Sequence, residues 1–201
     1  MSAPLGRRRA GVLGALALLA TAASSAACRS PDPVLYTILP SPGEPRRARG
    51  GPRSVVVREV SLAQYLDRLP IVRSAEEYRL NVSDNDWWGE PLDGMLTRVL
   101  VENLAQRLPG TSVHSSVGAI SAPADATVEV NVQRLGMTAP AALTLTAQAA
   151  TSFRDPRRRA GAWTESVTVP VAGNDTRAFV ATASTAVGRL ADAIAARLTS
   201  G

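Results

Sequence analysis

Residues 90–110 read EPLDGMLTRVLVENLAQRLPG, and the spacing of their apolar side chains decides the fold. Leu92, Met95, Leu96, Val99, Leu100, Leu104 and Leu108 recur every three or four residues, a pattern that only a helix gathers on one side. Pro91 stands at the first helical position, Glu90 and Asp93 suit the positive end of the helix dipole, and Pro109-Gly110 stops the helix. An apolar stripe of this width needs a surface to cover, so the helix predicts a sheet beneath it.

Downstream the period changes from three and four to two. Val128, Val130 and Val132 alternate with Glu129, Asn131 and Gln133; Leu143 and Leu145 alternate with Thr144 and Thr146; Trp163, Val167, Val169 and Val171 share one face. The connections, Gly136 to Ala142 and Asp155 to Gly161, are short enough for antiparallel pairing, so a meander is expected. Asp175-Thr176 then offers a cap. Phe179, Ala183, Val187, Leu190, Ile194 and Leu198 carry a second helical stripe to the C-terminus.

Upstream, Val34–Leu39 reads as a strand, Pro40–Arg53 as a proline-rich loop and Ser54–Leu62 as an interior strand. Residues 71–82 suggest two short strands around a turn. The expected fold is α+β: a two-layer sandwich with a mainly antiparallel sheet and two long helices packed on one face.

Composition narrows the function. The chain has 201 residues, 45% of them hydrophobic, enough for a single core of ordinary size. Its formal charge is +5, but Arg7, Arg8 and Arg9 supply three of those charges at the extreme N-terminus. Without residues 1–27, 19 arginines face 17 acidic residues, which gives no electrostatic case for nucleic acid.

Those arginines precede an uncharged apolar run, Gly11 to Ala23, shorter than the ~20 residues that cross a bilayer as a helix. Ser25, Ala26 and Ala27 follow, then Cys28, the one cysteine in the chain. The arrangement resembles the lipobox of bacterial lipoproteins, with Ser25 where an aliphatic residue is usual. It predicts a signal peptide over 1–27, a lipidated tether over 28–33 and a single domain over 34–199. A plain secretory cleavage at Ala26 or Ala27, leaving Cys28 an idle thiol, is the competing reading. Acyl chains on Cys28 would hold the protein on a membrane without crossing it, each buried methylene contributing ~0.8 kcal/mol. In lipoproteins of this kind an Asp after the cysteine retains the protein in the inner membrane; Arg29 here points to the outer one.

The search for catalytic chemistry finds little. His114 is the one histidine, flanked by Ser115 and Ser116 on a short predicted strand, with no advertised orienting partner. A structural histidine is the simpler reading. Asp84, Asp86 and Glu90 offer carboxylates for calcium or for glycan hydrolysis, but they lack the spacing of a calcium loop and nothing fixes their separation.

Two segments stand apart: Tyr65-Leu66-Asp67-Arg68-Leu69-Pro70-Ile71-Val72, and Trp87-Trp88-Gly89-Glu90-Pro91-Leu92. Together with the helix that ends at Leu108-Pro109 and the early Tyr36-Thr37-Ile38-Leu39-Pro40, they resemble the ABC-type transport auxiliary lipoproteins. Members show a Y-L-D-R-P-Q-I-V-like stretch and a W-A-E-P-L-like helix entry; Leu69-Pro70 and Gly89 depart from it. The resemblance implies a non-enzymatic lipoprotein of the outer membrane, facing the periplasm of a Gram-negative bacterium, with no cofactor beyond the lipid on Cys28. It implies an MCE-family protein, with its permease and ATPase, as partner in lipid transport, and it admits a homo-oligomeric ring. Tyr65, Leu66, Asp67, Arg68 and Trp87 are the candidates for contact with a partner or neighbouring subunit. Trp88, Glu90, Pro91 and Leu92 read as the structural motif at the helix entry.

Overall fold

The structure, a computed structural model, describes residues 31–46, 51–76, 78–139 and 141–200. The predicted signal peptide, Cys28 and the arginines Arg47 and Arg49 of the early loop lie outside the described residues. The elements run β1 (Val34–Tyr36), β2 (Ser54–Val57), β3 (Ser61–Leu62), β4 (Pro70–Glu76), β5 (Arg79–Trp88), α1 (Leu92–Arg107), β6 (Ser112–Ser115), β7 (Ala126–Ala139), β8 (Ala142–Phe153), β9 (Gly161–Pro170) and α2 (Thr176–Thr199).

The long strand β7 is the spine of the sheet. On one side it pairs antiparallel with β8, and β8 with β9, which is the expected meander. On its other side three strands line up in succession, all parallel to it: β2 at Val55↔Ala126, β3 at Ser61↔Asn131 and β4 at Ser74↔Met137. Beyond them lie β6, parallel to β2, and β5, antiparallel to β4, with β1 parallel to β5. The sheet is therefore mixed and forked. Its longest pairings are antiparallel, while the N-terminal strands add parallel ones that alternation along a single strand cannot reveal.

Expected boundaries shift: β1 ends at Tyr36 and not Leu39, β5 runs past residue 82 to Trp88, and three others move for physical reasons. The interior strand predicted over 54–62 breaks at Arg58–Val60, yet both pieces stay on β7, where the Arg58 amide donates to Val128 O at 2.9 Å and Ala63 to Val132 O at 2.9 Å. The connection predicted from Gly136 shrinks to the residues between Ala139 and Ala142, because β7 carries a bulge between Val132 and Arg134. The extra residue reverses the phase: Val128, Val130 and Val132 face the core before it, Leu135 after it. Pro91, expected inside the helix, sits at its N-cap without a side-chain cap.

Both helices lie on one face, packed on each other, α1 over β2 and β6 and α2 over β7, β8 and β9. All seven residues of the first stripe and all six of the second are buried. Asp175 caps α2 by accepting from the Ala178 amide at 2.7 Å. The opposite face of the meander is largely polar and, among the described residues, carries no helix, as antiparallel pairs allow. There the hydroxyls of Thr138, Thr144 and Thr168 form a cross-strand ladder at 2.8 and 3.0 Å. The edge strand β9 is blunted by Arg189, whose Nη1 donates to Thr168 O at 3.2 Å, and by Pro170 at its end.

Candidate functional site

The sheet brings the two sequence segments together. Pro70 pairs with Trp87 across β4 and β5, and the Trp88 amide donates to Leu69 O at 2.8 Å. The turn Ala63–Leu69 thus lies against the Trp87 end of β5. Asp67 and Arg68 are exposed on it, Leu69 is 41% exposed, and Trp87 is half-buried. Tyr65 is half-buried, with its hydroxyl donating to Gln133 O at 3.2 Å, and burial raises its pKa above the ordinary tyrosine value. Leu66 is a correction: at 3% exposure it belongs to the core, where a leucine between an exposed pair and a sheet is expected to turn inward. The indole nitrogen of Trp87 is buried with no hydrogen-bond partner among the described residues.

The helix-entry motif is structural in its contacts. Trp88 and Leu92 are buried at 3% each, and the Pro91 carbonyl accepts the Met95 amide at 3.0 Å. Glu90 pairs with Arg98 at 2.6 Å, which, with Glu102 at 3.4 Å, raises the guanidinium pKa and keeps the charge in place. Asp86 accepts a hydrogen bond from the Thr176 hydroxyl. Asp86 and Glu90, the carboxylates weighed for hydrolysis, are thus engaged in holding β5 to α2 and α1 to its own entry. His114 is buried on β6, where it pairs with Val56 of β2, and its Nδ1 has no hydrogen-bond partner among the described residues.

A second site went unread in the sequence. After β1 the chain crosses the groove between the helices as a strap, residues 37–46. Ile38 is fully buried and its amide points at Met95 Sδ, 3.2 Å away. The Leu39 amide donates to Ser184 Oγ at 3.1 Å and the Ser41 amide to Asn103 Oδ1 at 2.8 Å. Arg107, only 1% exposed, clamps the middle of the strap: Nη1 donates to Ser41 O and Asn103 O at 3.1 Å each, Nη2 to Pro42 O at 3.4 Å and Nε to Asp192 Oδ1 at 2.7 Å. The Arg107 carbonyl in turn accepts the Arg46 amide at 2.7 Å.

Two glycines make the crossing possible. A Cβ on Gly188 would stand 2.6 Å from Ser41 Cβ, and one on Gly43 would stand 2.2 Å from the Arg107 guanidinium carbon. Ser184, Gly188 and Asp192 recur every four residues on α2, as Asn103 and Arg107 do on α1, so each helix presents one line of groups to the strap. The readable signal was a polar pair, Asn103 and Arg107, inside an apolar stripe.

The uncovered face of the sheet holds an open depression of about 890 Å³ lined in part by Arg58, Glu129, Asn131, Gln148 and Thr164. Polar and apolar groups share its lining about equally, Val117, Ala150 and Trp163 among the apolar ones. Among the described residues no helix is long and apolar enough to cross a membrane, and no group of three or more His, Cys, Asp or Glu is placed to hold a metal ion.

Comparison with known proteins agrees with this architecture. The crystal structure of an uncharacterized protein superposes with a TM-score of 0.68 at 18% identity, covering 83% of this chain and 98% of that one. The Xanthomonas campestris protein XCC0632 superposes with a TM-score of 0.58 at 19% identity, covering 82% and 90%. In sequence, the chain is 33% identical over 73 residues to the intermembrane transport lipoprotein PqiC of Escherichia coli K12, and equally to that of Shigella flexneri. That match covers 36% of this chain and spans about two fifths, 39%, of the length of those relatives. A family model, the ABC-type transport auxiliary lipoprotein component, matches residues 36–195, from β1 through most of α2. The chain belongs to the ABC-type transport auxiliary lipoprotein family.

Proposed function

We propose that this protein is a lipid-anchored, non-enzymatic docking component of an MCE-type intermembrane lipid transport system. Acyl chains on Cys28 hold it to the periplasmic face of the outer membrane of a Gram-negative bacterium, where it receives the distal end of the MCE conduit, whose permease and ATPase lie at the other end. The observation that carries this reading is the family match over 36–195, which covers both the strap and the joined Ala63–Leu69 and Trp87 segments. In support, relatives that match in sequence are named intermembrane transport lipoproteins. A homo-oligomeric ring is part of the same reading.

The docking surface on this view is the exposed corner made by Asp67, Arg68 and Leu69 beside Tyr65 and Trp87. Aromatic side chains with one wet and one apolar side, rimmed by charge, are typical of interface anchors. The test is a pull-down with the MCE-family protein encoded nearest the gene, comparing wild type with Asp67→Ala/Arg68→Ala. Loss of at least tenfold in captured partner, with unchanged thermal stability, is expected. Equal capture would move the interface elsewhere, and no capture by wild type would favour a structural lipoprotein of another envelope complex.

A further inference from the structure

We infer that the hairpin tips β4–β5 and β7–β8 form a foot that rests on the lipid surface carrying the anchor, with Tyr78 as its interfacial aromatic. The two tips lie at one end of the sheet, since β4 and β7 are parallel and paired at Ser74↔Met137, two residues short of the last residue of each strand. Tyr78 is fully exposed and held at φ +71°, a left-handed conformation that side chains other than glycine adopt at a cost. Next to it Arg79 is exposed and Leu80 is 37% exposed, while Ala139 and Ala141 are exposed on the neighbouring tip. The tip reads Glu76-Glu77-Tyr78-Arg79-Leu80 in sequence; a tyrosine turned outward beside an arginine and a leucine suits the interfacial layer of a bilayer, where an aromatic ring has both an apolar and a hydrated side, and the two glutamates favour a surface that is not strongly anionic.

The same end is the one the tether comes from. β1 is parallel to β5, and β5 runs away from the Tyr78 tip, so the chain enters β1 from the direction of that tip. Val34 pairs with Asp86, seven residues along β5 from Arg79, or about 23 Å at strand rise. Six residues link Cys28 to Val34 and reach about 20 Å when extended. A bilayer that holds Cys28 therefore comes within reach of the tip. The foot is braced against the body, because Arg73 of β4 donates to Asn174 O at 2.9 Å and to Thr176 Oγ1 at 3.3 Å. The other end carries a different chemistry, the turn after β8 with Arg154, Arg157, Arg158 and Arg159.

The inference rests on Cys28 as the anchored residue, and its test supplies the anchor chemically. Residues 28–201 are coupled through Cys28 to maleimide-phosphatidylethanolamine in vesicles of phosphatidylethanolamine and phosphatidylglycerol at 3:1. Amide exchange is then compared with the Cys28→Ser protein free of lipid. Exchange at 78–81 and 141–143 should slow by roughly fivefold on the vesicles, with 154–160 unchanged, and Tyr78→Ala should abolish the slowing without altering thermal stability. Unchanged exchange at both tips, or slowing confined to 154–160, overturns the foot. Mass analysis of Cys28 in the membrane-extracted native protein is a separate readout: an unacylated cysteine there would refute the anchor while the coupled-vesicle result still decides the foot.

Discussion

Replacing Asp192 by Ala should cost more than any surface ion pair can explain, because it strands a charge. Arg107 is 1% exposed, and its Nε lies 2.7 Å from Asp192 Oδ1, whose side chain is 37% exposed. Breaking a buried pair by removing one partner costs ~3–5 kcal/mol. The lower end applies here, about 3 kcal/mol, since the carboxylate is partly hydrated and the guanidinium keeps the carbonyls of Ser41, Pro42 and Asn103 as acceptors. For a domain of this size that is a fall in Tm of roughly 6–12 °C. Calorimetry measures the fall, and limited proteolysis reads its location: cleavage within 40–46 should appear at temperatures where the wild type resists. The double variant Arg107→Met/Asp192→Ala, which removes the stranded charge as well, should recover part of the loss. A shift below about 2 °C for Asp192→Ala, or a double variant that is worse by the full sum of the singles, would refute the reasoning that a buried charge clamps the strap.

Gly188→Ala should destabilise and loosen the strap at Ser41, because backbone on both sides limits relief of a 2.6 Å approach; exchange of the Leu39 and Ser41 amides reports it. Gly136→Ala places a Cβ 3.1 Å from Arg73 O and should cost about 1 kcal/mol or more, read as a lower denaturant midpoint with unchanged slope. Leu104→Ala, fully buried in α1, should cost ~2–5 kcal/mol in the same assay. Stability should fall as pH rises above 10, where the folded-state tyrosines Tyr36 and Tyr65 hold their protons longer than the unfolded chain does. Burial and then Asp86 raise the Tyr36 pKa above its ordinary 10.0, so the unfolded chain loses that proton first; Tyr36→Phe should flatten the decline in a base titration. Labelling with palmitate should mark the wild type and leave Cys28→Ser blank.

The helices and the meander were legible because their burial pattern is local: every residue of both stripes is buried, and Val128, Val130, Val132, Leu143 and Leu145 face the core as their alternation requires. What lay beyond reach was relational. The two-residue β3 has too few positions to show a period, and its place on β7 is set by pairing. The bulge at residues 132–134 broke the alternation that would have shown β7 continuing to Ala139. At the site, the joined segments were visible as composition, but the inward turn of Leu66 was not. The strap was hidden because its ligands, Asn103, Arg107, Ser184 and Asp192, come from two helices far apart in sequence.

The strap also sets how the domain bears load. β1 lies along β5, so tension arriving at Val34 from the N-terminal side acts along the strand axis, in shear, and stresses the β1 pairings together instead of one at a time. Whatever passes that point meets Ile38, Ser41 and the guanidinium of Arg107, which hand the force to both helices at once. Tension entering at Val34 therefore reaches the core through both helices and not through the three-residue strand β1 alone.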